Sequence, residues 1–417
     1  MDKVQVQRLS GNLNGEIRIS GSKSISNRML IIDTLADEKL VLKNLSTSDD
    51  TLSLKKSLTM IRTCASSRIP LVVDAGNAGT VLRFLTALLA VTDGKWLLTG
   101  SERMKIRPVG ELVSALKKLG ADIEYANEFG YPPLLIKGAG LKSKELVMDA
   151  SQSSQFVSAL MMIAPGLNDG LKINFKNRPV SFPYIEMTAK LMQECGIEVL
   201  LTDERVEVKP GPYKIVNYHI EPDWSSASYW YEMAALSDSA SVLLPGFVKE
   251  SLQGDQIIAE IFNNFGVQTT YGDYGIWITR SRESTDYFKY NFEACPDLVP
   301  AVLATCAAKG ITAELEGVSH LKYKESDRLE VLKDELAKVG AKIIIRGNFV
   351  DLVPSSVLPE SEIVFDTYKD HRIAMCLAPL ALKYAGVSVN EPRVVDKSYA
   401  SFWKDIQQLG ILSVDKN

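Results

Sequence analysis

The sequence predicts a mixed α/β protein built from six repeated strand–helix units, and three observations support that fold class. First, helices that end in glycine and lead into a strand recur at Gly120, Gly196, Gly266, Gly340 and Gly410, spaced by roughly 70 to 76 residues. Glycine allows the left-handed conformation that reverses the chain after a helix. Second, a polar cluster opens an apolar, alanine-rich helix six times. Third, short strand patterns lie between these helices, so each unit has room for several strands and two helices.

The six polar-start helices set the period of the repeat. They are predicted at residues 22–36, 77–90, 153–164, 225–235, 297–308 and 370–381. From the second start onward the starts follow one another at roughly 72 to 76 residues, whereas the first interval is only about 55, so the first unit is shortened. Strand patterns occur at residues 16–19, 40–45, 134–137, 205–209 and 349–353.

Composition limits the classes of function. The chain has 417 residues, of which 46% are hydrophobic and 24% are charged, which is typical of a globular protein with two or three domains. Its formal net charge is -4, which argues against a nucleic-acid partner and favours small anionic ligands at a local cation cluster. The first residues alternate like a strand, and no apolar run approaches the roughly 20 residues of a membrane helix. We therefore expect a cytoplasmic protein with no membrane partner.

The cysteines and histidines predict no metal site. Five cysteines, at positions 64, 195, 295, 306 and 376, are scattered without the short paired spacing of a disulfide framework or a zinc site. The three histidines, at positions 219, 320 and 371, are equally dispersed. We expect no metal and no cofactor.

Several polar helix starts carry residues that do not serve as caps. Most serine, asparagine and aspartate side chains at helix starts are simply caps. The chain also places Lys23, Arg28, Arg83, Gln155 and Arg372 there, and positive charge at a helix N-terminus opposes the helix dipole. Residues 21–28 alone are equally compatible with a capped surface helix. Because the feature recurs, we predict that the six starts face a shared cavity for an anionic ligand.

Six short motifs together resemble one family, the EPSP synthases, or 3-phosphoshikimate 1-carboxyvinyltransferases. They are GSKSISNR at residues 21–28, GNAGT at 76–80, RPV at 107–109, SSQF at 153–156, KESDRL at 324–329 and DHR at 370–372. The resemblance covers nearly the whole chain. It implies two pseudo-symmetric domains, each of three strand–helix units, in an inside-out α/β barrel fold with the active site in the interdomain cleft. The implied domains are residues 21–221, which mainly bind shikimate 3-phosphate, and residues 1–20 plus 222–417, which carry the general base and much of the phosphoenolpyruvate site.

The resemblance also implies the reaction and the residues that bind the substrates. The family transfers the enolpyruvyl group of phosphoenolpyruvate to the 5-hydroxyl of shikimate 3-phosphate and releases phosphate, in chorismate and aromatic amino acid biosynthesis. The residues implied for shikimate 3-phosphate are Lys23, Ser24, Arg28, Ser153, Ser154, Gln155, Ser181, Tyr184, Asp297, His320 and Lys324. Those implied for phosphoenolpyruvate are Lys23, Gly79, Arg107, Gln155, Arg328, Arg372 and Lys397.

For catalysis, the resemblance implies Asp297 as the general base toward the 5-hydroxyl, although from the sequence alone this residue looks like a helix cap. Glu325 or Lys23 would deliver and remove the proton on the methylene carbon. The substrates together bring roughly five to six negative charges. This is close to the charge of the seven cations that the resemblance implies, which are Lys23, Arg28, Arg107, Lys324, Arg328, Arg372 and Lys397. Without ligands those cations are expected to repel one another, which suggests an open empty state.

Two departures from the family pattern and two alternatives remain. His320 stands where asparagine is frequent, and Phe84 stands where proline is frequent. UDP-N-acetylglucosamine enolpyruvyl transferase is the nearest alternative, but that family has a reactive cysteine before its Arg-Pro pair, and residues 101–106 contain none. The other alternative is a non-catalytic phosphometabolite-binding protein on the same fold. Space at Gly79 suggests sensitivity to glyphosate, and we expect a monomer.

Overall fold

The computed structural model describes residues 2–64, 69–142, 145–281, 283–355 and 362–416. The α-helices are α1 (Lys23–Leu35), α2 (Asp49–Cys64), α3 (Gly79–Val91), α4 (Glu102–Lys105), α5 (Gly110–Lys118), α6 (Ser154–Ile163), α7 (Pro183–Glu194), α8 (Trp224–Leu236), α9 (Ile258–Ile261), α10 (Val299–Lys309), α11 (Arg328–Ala337), α12 (His371–Leu377) and α13 (Phe402–Gln408). Short 3₁₀ helices cover Ala164–Gly166, Gly254–Ile257, Phe262–Phe265, Pro296–Leu298, Ser319–Tyr323, Ala378–Leu382 and Pro392–Lys397.

The strands are short and numerous. They are β1 (Lys3–Arg8), β2 (Asn12–Glu16), β3 (Val41–Lys43), β4 (Leu71–Asp74), β5 (Gly94–Thr99), β6 (Asp122–Tyr125), β7 (Leu134–Gly138), β8 (Glu145–Met148), β9 (Leu171–Phe175), β10 (Val199–Leu201), β11 (Arg205–Val208), β12 (Asn217–His219), β13 (Ser239–Pro245), β14 (Val267–Gly272), β15 (Gly275–Arg280), β16 (Tyr287–Asn291), β17 (Thr312–Glu316), β18 (Lys342–Arg346), β19 (Phe349–Val353), β20 (Ile363–Phe365), β21 (Val387–Asn390) and β22 (Leu412–Lys416).

The sheets repeat one connectivity, which confirms the mixed α/β class and the six-fold repeat. The four-stranded sheets have the orders β4-β5-β7-β6, β8-β9-β11-β10, β2-β13-β15-β14, β16-β17-β19-β18 and β20-β21-β1-β22, and β3 pairs with β12 in a two-stranded sheet. In each four-stranded sheet the first pair is parallel and the other two pairs are antiparallel. The pair β3 and β12 is parallel as well.

The chain forms two compact units. The N-terminal unit is Gly21–Ile220, and the C-terminal unit is Met1–Ser20 with Glu221–Asn417. Strand pairing shows how the chain passes between them: β2 leads into α1 but pairs with β13, whereas β12 leads into α8 but pairs with β3. The divisions fall after residue 20 and after residue 220, against the expected positions after 20 and after 221. The substrate assigned to each domain stays a prediction.

The polar-start helices form the cores of the units. Every residue of α6 except Gln155 is buried, and every residue of α8 except Ser225 is buried. Burying each large aliphatic or aromatic side chain contributes about 1.5–3 kcal/mol, so these helices dominate the stability of their units. Gln155 and Ser225, which lie at the starts of these two helices, are half-buried.

The glycine prediction is confirmed in all five repeats. Gly120, Gly196, Gly266, Gly340 and Gly410 have φ values of 100°, 83°, 80°, 83° and 64°. A residue with a side chain is strained in this conformation, which explains why glycine ends each of these helices.

The strand predicted at residues 16–19 was wrong in its bounds. The observed strand is Asn12–Glu16, and its pairing with β13 ends at Glu16 opposite Leu243. Ile17 and Ile19 are buried, which produced the alternating pattern, but the chain then turns toward Ser22 and α1. The alternating burial of side chains therefore continues at Ile17 and Ile19, although the hydrogen-bonded pairing of β2 with β13 ends at Glu16.

Within the described ranges, none of the helices is long and apolar enough to span a lipid bilayer.

Candidate active site

The Asp297 carboxylate is the centre of a charged network in the C-terminal unit. Arg328 Nη1 lies 2.9 Å from Asp297 Oδ1, Arg372 Nη2 lies 2.7 Å from Oδ2, and Lys324 Nζ lies 3.6 Å from Oδ1. Asp297 stands in the 3₁₀ turn Pro296–Leu298, one turn before α10, and its side chain does not cap that helix. The interpretation of Asp297 as a cap was therefore wrong, because the 3₁₀ turn directs the carboxylate to three cations instead.

Arg328 is held by carboxylates on three sides. Its Nε lies 2.8 Å from Asp370 Oδ2 and its Nη2 lies 2.8 Å from Glu325 Oε2, in addition to the contact with Asp297. The Arg328 side chain is 2% exposed and that of Asp370 is 0% exposed, so this pair is fully desolvated. Asp370 also caps α12 by accepting a hydrogen bond from Arg372 N at 3.0 Å. One buried aspartate thus orients both arginines.

Glu325 connects the remaining cation to the network. Lys397, at the end of the 3₁₀ helix Pro392–Lys397, places Nζ 3.1 Å from Glu325 Oε1. The predicted cations of this unit therefore interleave with Asp297, Glu325 and Asp370. The expectation that these cations simply repel one another was wrong for this unit, because Asp297, Glu325 and Asp370 lie between them.

The charges around Asp297 set its protonation. Burial raises the pKa of the Asp297 carboxyl, but Arg372, Lys324 and Arg328 outweigh burial and hold that pKa well below its usual range. Burial lowers the pKa of Lys324, while Asp297 opposes the shift. Asp297 is consequently ionised at neutral pH, as a proton acceptor must be.

His320 lies beside this network in a neutral form. Burial, followed by the charge of Lys324, lowers the pKa of His320 to about 3. Its Nε2 atom is buried, and no hydrogen-bond partner for it occurs in the described part of the chain. A neutral imidazole can exchange a hydrogen bond with a hydroxyl group.

In the N-terminal unit, Lys23 and Arg28 lie on the first two turns of α1. The Ser22 hydroxyl caps α1 by accepting a hydrogen bond from Ile25 N. Lys23 Nζ lies 3.1 Å from Asp50 Oδ2, and both side chains are largely buried. The sequence reasoning missed Asp50, because an aspartate in the first turn of α2 looks like an ordinary partner of the helix dipole.

Arg28 is almost completely buried among neutral groups. Its Nε donates to Thr188 Oγ1 at 2.7 Å, Nη1 to the Ser24 carbonyl at 2.9 Å, and Nη2 to Ser158 Oγ and the Tyr184 carbonyl at 3.3 and 3.2 Å. Burial lowers its pKa to about 10. Among the described residues no carboxylate lies within 4.0 Å, and one Nη1–H group stays available for a ligand. A buried, uncompensated guanidinium favours an anion beside it.

The starts of α3 and α6 are joined through Gln155. The amide of Gln155 accepts a hydrogen bond from Arg83 Nη1 at 2.6 Å and donates one to Thr80 Oγ1 at 3.0 Å. The Ser153 hydroxyl caps α6 by accepting from Gln155 N, and Ser154 begins the helix. Gln155 therefore fixes the two helix starts next to each other.

Ser181 and Tyr184 lie at the entry to α7. Ser181 is a non-glycine residue with a φ of 53°, and its carbonyl accepts a hydrogen bond from Tyr184 N at 3.1 Å. A serine in the left-handed region is strained, and such residues concentrate at ligand sites. The Tyr184 ring lies 5.8 Å from the Arg28 guanidinium, which connects this turn to α1.

Gly79 leaves room for the Arg107 guanidinium. A Cβ atom placed on Gly79 would lie 2.7–2.8 Å from Arg107 Nη2, Cζ and Nη1, which is closer than side chains tolerate. Arg107 is buried and follows the short helix α4. The absence of a side chain at position 79 is therefore what lets this cation occupy the start of α3.

Metal-binding geometry is missing within the described ranges, where no group of three or more His, Cys, Asp or Glu side chains could hold an ion. Cys195, Cys295, Cys306 and Cys376 are buried free thiols.

Comparisons with known proteins agree with the motifs. A family model described as EPSP synthase (3-phosphoshikimate 1-carboxyvinyltransferase) matches residues 8–406. The chain is 40% identical over 404 residues to a 3-phosphoshikimate 1-carboxyvinyltransferase from Bacteroides fragilis, covering 95% of this chain and 96% of that protein. It is 36% identical over 419 residues to the enzyme of the same name from a Sulfurovum species, covering 95% and 97%.

The fold comparison gives the same result. A solved structure of EPSP synthase from Acinetobacter baumannii superposes with a TM-score of 0.78 over the full length of both chains at 20% sequence identity. The matching family model and the two curated relatives, each covering nearly the whole chain, place this protein in the EPSP synthase family.

Proposed function

We propose that this chain transfers the enolpyruvyl group of phosphoenolpyruvate to the 5-hydroxyl of shikimate 3-phosphate, giving 5-enolpyruvylshikimate 3-phosphate and phosphate in aromatic amino acid biosynthesis. Membership of the family supports the reaction. The observation that carries the mechanism is the Asp297 carboxylate held between Arg328 and Arg372, since it combines a base with two carboxylate-binding guanidinium groups. A cytoplasmic location and a monomeric state stay predictions.

The N-terminal unit binds mainly shikimate 3-phosphate in this proposal. Arg28 and Ser24 bind its carboxylate, and the available Nη1–H of Arg28 supports that role. The phosphate and ring hydroxyls meet Ser153, Ser154 and Gln155 at the start of α6, where helix N–H groups favour anions. Further contacts come from Lys23, Ser181, Tyr184, Lys324, Asp297 and His320.

The C-terminal unit supplies much of the phosphoenolpyruvate site. Arg328 and Arg372 bind the carboxylate, because guanidinium forks bind planar carboxylates in bidentate fashion. The residues proposed for the phosphate of phosphoenolpyruvate are Lys23, Arg107, Gln155 and Lys397, and Gly79 leaves space for the Arg107 guanidinium. Each charge-assisted hydrogen bond contributes about 1.5 to 3 kcal/mol.

Substrate binding also activates the base. Arg372, Lys324 and Arg328 lower the pKa of Asp297, which makes it a weak base. When the phosphoenolpyruvate carboxylate binds the same guanidinium groups, it offsets their charge and raises the pKa of Asp297 toward a useful value. Asp297 then removes the 5-hydroxyl proton as that oxygen attacks C2 of phosphoenolpyruvate.

The addition also needs a proton on C3, which becomes a methyl group and loses a proton again as phosphate leaves. Glu325 or Lys23 performs these transfers. Glu325 pairs with Arg328 and Lys397, which favours its ionised form and suits proton removal, whereas Lys23 suits proton delivery. Exchange of solvent deuterium into the methylene group during turnover, compared in Glu325→Gln and Lys23→Met, distinguishes the two.

The test is phosphate release from phosphoenolpyruvate with shikimate 3-phosphate, and separately with UDP-N-acetylglucosamine. We expect turnover with the first acceptor only, and Asp297→Asn should lower kcat by about 10²–10⁴-fold while both substrates still bind. Asp273→Asn, at an exposed turn between β14 and β15, is the matched control. Phosphate release only with the sugar nucleotide, or with neither acceptor, would refute the proposal.

A further inference from the structure

Four cationic side chains converge in the C-terminal unit, away from Asp297. They are Arg8, Arg280, Lys309 and Lys383, and together they form what we name the Lys309 cluster. Each comes from a different element: Arg8 ends β1, Arg280 ends β15, Lys309 ends α10, and Lys383 follows the 3₁₀ helix after α12. Residues so far apart in sequence meet here only because the repeats pack together.

Hydrogen bonds to two carbonyl groups define the geometry of the Lys309 cluster. Arg280 Nη1 lies 3.1 Å and Lys309 Nζ lies 3.3 Å from the same Ala235 carbonyl oxygen, so one acceptor holds these two cationic atoms next to each other. Arg8 Nη1 lies 3.1 Å from the carbonyl of Leu382, the residue before Lys383. The second Arg8 nitrogen pairs with Asp238.

The negative charge around the cluster does not balance it. In the described part of the chain, no carboxylate lies within 4.0 Å of Arg280, Lys309 or Lys383, and Asp238 forms its ion pair with Arg8. The charge of Asp238 acts on Arg280 and Lys383 only at longer range. Cations at helix ends are usually explained by the helix dipole, which contributes roughly half a negative charge per helix end. The three helix ends are those of α8, of α10 and of the 3₁₀ helix Ala378–Leu382. With Asp238 they bring at most about two and a half negative charges against four positive ones. The ordinary capping explanation therefore leaves about one and a half positive charges uncompensated.

Two of the cations show the consequence. Burial, then the charges of Arg280 and Lys383, lowers the pKa of Lys309 to about 8, while Cys306 on the same helix opposes the shift. The pKa of Lys383 is lowered by burial and then by Arg280 and Arg8, against the opposing charge of Asp238. Arg280 and Lys309 are half-buried, whereas Arg8 and Lys383 are exposed, so a bound anion would offset positive charge mainly at the half-buried pair.

We propose that the Lys309 cluster binds one phosphate-type dianion, either inorganic phosphate or the phosphoryl group of a small metabolite. Two guanidinium and two ammonium groups suit the oxygens of a phosphate, which accept charge-assisted hydrogen bonds. The site is separate from the substrate residues, because Asp297 lies just before the first turn of α10 and Lys309 lies at its last turn, about 18 Å apart along the helix. The proposal does not depend on the proposed function.

Lys309 itself provides a local reporter for the experiment. Lysine carrying ¹³C at the ε-carbon is incorporated into the whole protein, the Lys309 signal is assigned from its loss in Lys309→Arg, and its titration is followed by NMR. At constant ionic strength set with chloride, replacing chloride by 10 mM inorganic phosphate should raise the Lys309 pKa by at least half a unit. The shift should saturate with phosphate concentration. Phosphate bound among the substrate residues does not affect this readout.

Matched variants decide the result. Lys383→Gln should weaken the phosphate effect on Lys309 at least fivefold, whereas Lys342→Gln, an exposed lysine on β18, should not change it. Glycerol 3-phosphate identifies the source: the same shift supports recognition of a phosphoryl group, and a shift with inorganic phosphate alone narrows the site to the free anion. A Lys309 pKa that neither compound moves, or that moves no more than the signal of Lys342, overturns the proposal.

Discussion

The buried carboxyl of Asp255 should make the stability of the C-terminal unit depend on pH. Asp255 lies in the 3₁₀ helix Gly254–Ile257 and is 3% exposed. Ser225 donates a hydrogen bond to Oδ2, but Oδ1 is buried and has no partner among the described residues. Burial and then the charge of Asp297 raise the pKa of Asp255 from 3.8 to about 7, although Arg372 opposes the shift.

The sign of the effect follows from proton binding. Between about pH 4 and pH 7 the folded protein keeps the Asp255 proton that the unfolded chain has lost, so the free energy of unfolding falls as pH rises through this window. At pH 8 the full pKa difference of about three units between the folded and unfolded states lowers the free energy of unfolding, whereas at pH 5 only about one unit of that difference contributes. The difference of about two units corresponds to about 2 to 3 kcal/mol.

Asp255→Asn isolates this contribution, because asparagine keeps the acceptor for Ser225 and removes the charge. Any penalty from its extra amide protons is independent of pH and cancels between the two conditions. The free energy of unfolding is measured in urea at pH 5 and pH 8, and amide exchange of α8 reports the C-terminal unit. The difference in this free energy between the variant and the wild-type protein should be about 2 to 3 kcal/mol more favourable to the variant at pH 8 than at pH 5. Asp273→Asn is the exposed control and should show no such gain. An equal effect of Asp255→Asn at both pH values would refute the reasoning.

The other predictions concern the cations. Arg328→Met leaves Asp370 buried without its cationic partner and should destabilise the protein by about 3 to 5 kcal/mol in urea unfolding. Lys333→Met, which breaks the exposed pair with Glu330, should cost less than about 1 kcal/mol. Equal losses of stability in the two variants would contradict the role of burial. Gly79→Ala should displace Arg107, raise the KM for phosphoenolpyruvate about tenfold in the phosphate-release assay and weaken glyphosate inhibition in parallel. The control is Gly140→Ala, whose added Cβ meets no atom within 4 Å and which should leave the KM and the inhibition unchanged. A normal KM in Gly79→Ala would exclude the displacement of Arg107. In Arg28→Lys the lysine cannot reproduce the forked contacts to Thr188, Ser158 and the Tyr184 carbonyl. The KM for shikimate 3-phosphate should therefore rise about 10- to 100-fold, while the KM for phosphoenolpyruvate stays nearly constant. The reverse pattern would assign Arg28 to phosphoenolpyruvate instead.

Local signals predicted much of the fold. The Ser22 cap, the glycines that end five helices and the period of about 70 residues all depend on chemistry within a few positions of the chain, so they could be read without the structure. The six short motifs that indicated the family are also local, because each of them spans only three to eight consecutive residues. The strand bounds at residues 16–19 failed, because only pairing with β13 determines where that ladder ends.

The candidate site residues could be named from motifs, and their assignment stays a prediction, but their electrostatics could not be read from the sequence. Asp297 looked like a cap, yet it bridges Arg328 and Arg372, which lie 31 and 75 residues away. Asp50 escaped attention beside Lys23, and Asp255 carried no signal at all.

The sequence by itself determined the repeat, the helix ends and the family, because each was recognised from short local patterns of residues and from the spacing between them. Only the tertiary structure decided which carboxylate faces which cation, how far each is removed from water, and therefore which groups hold or release protons. Arg28 shows the difference most clearly: its position at a polar helix start was evident, but its burial against Ser158 and Thr188 required the first and third repeats to pack together.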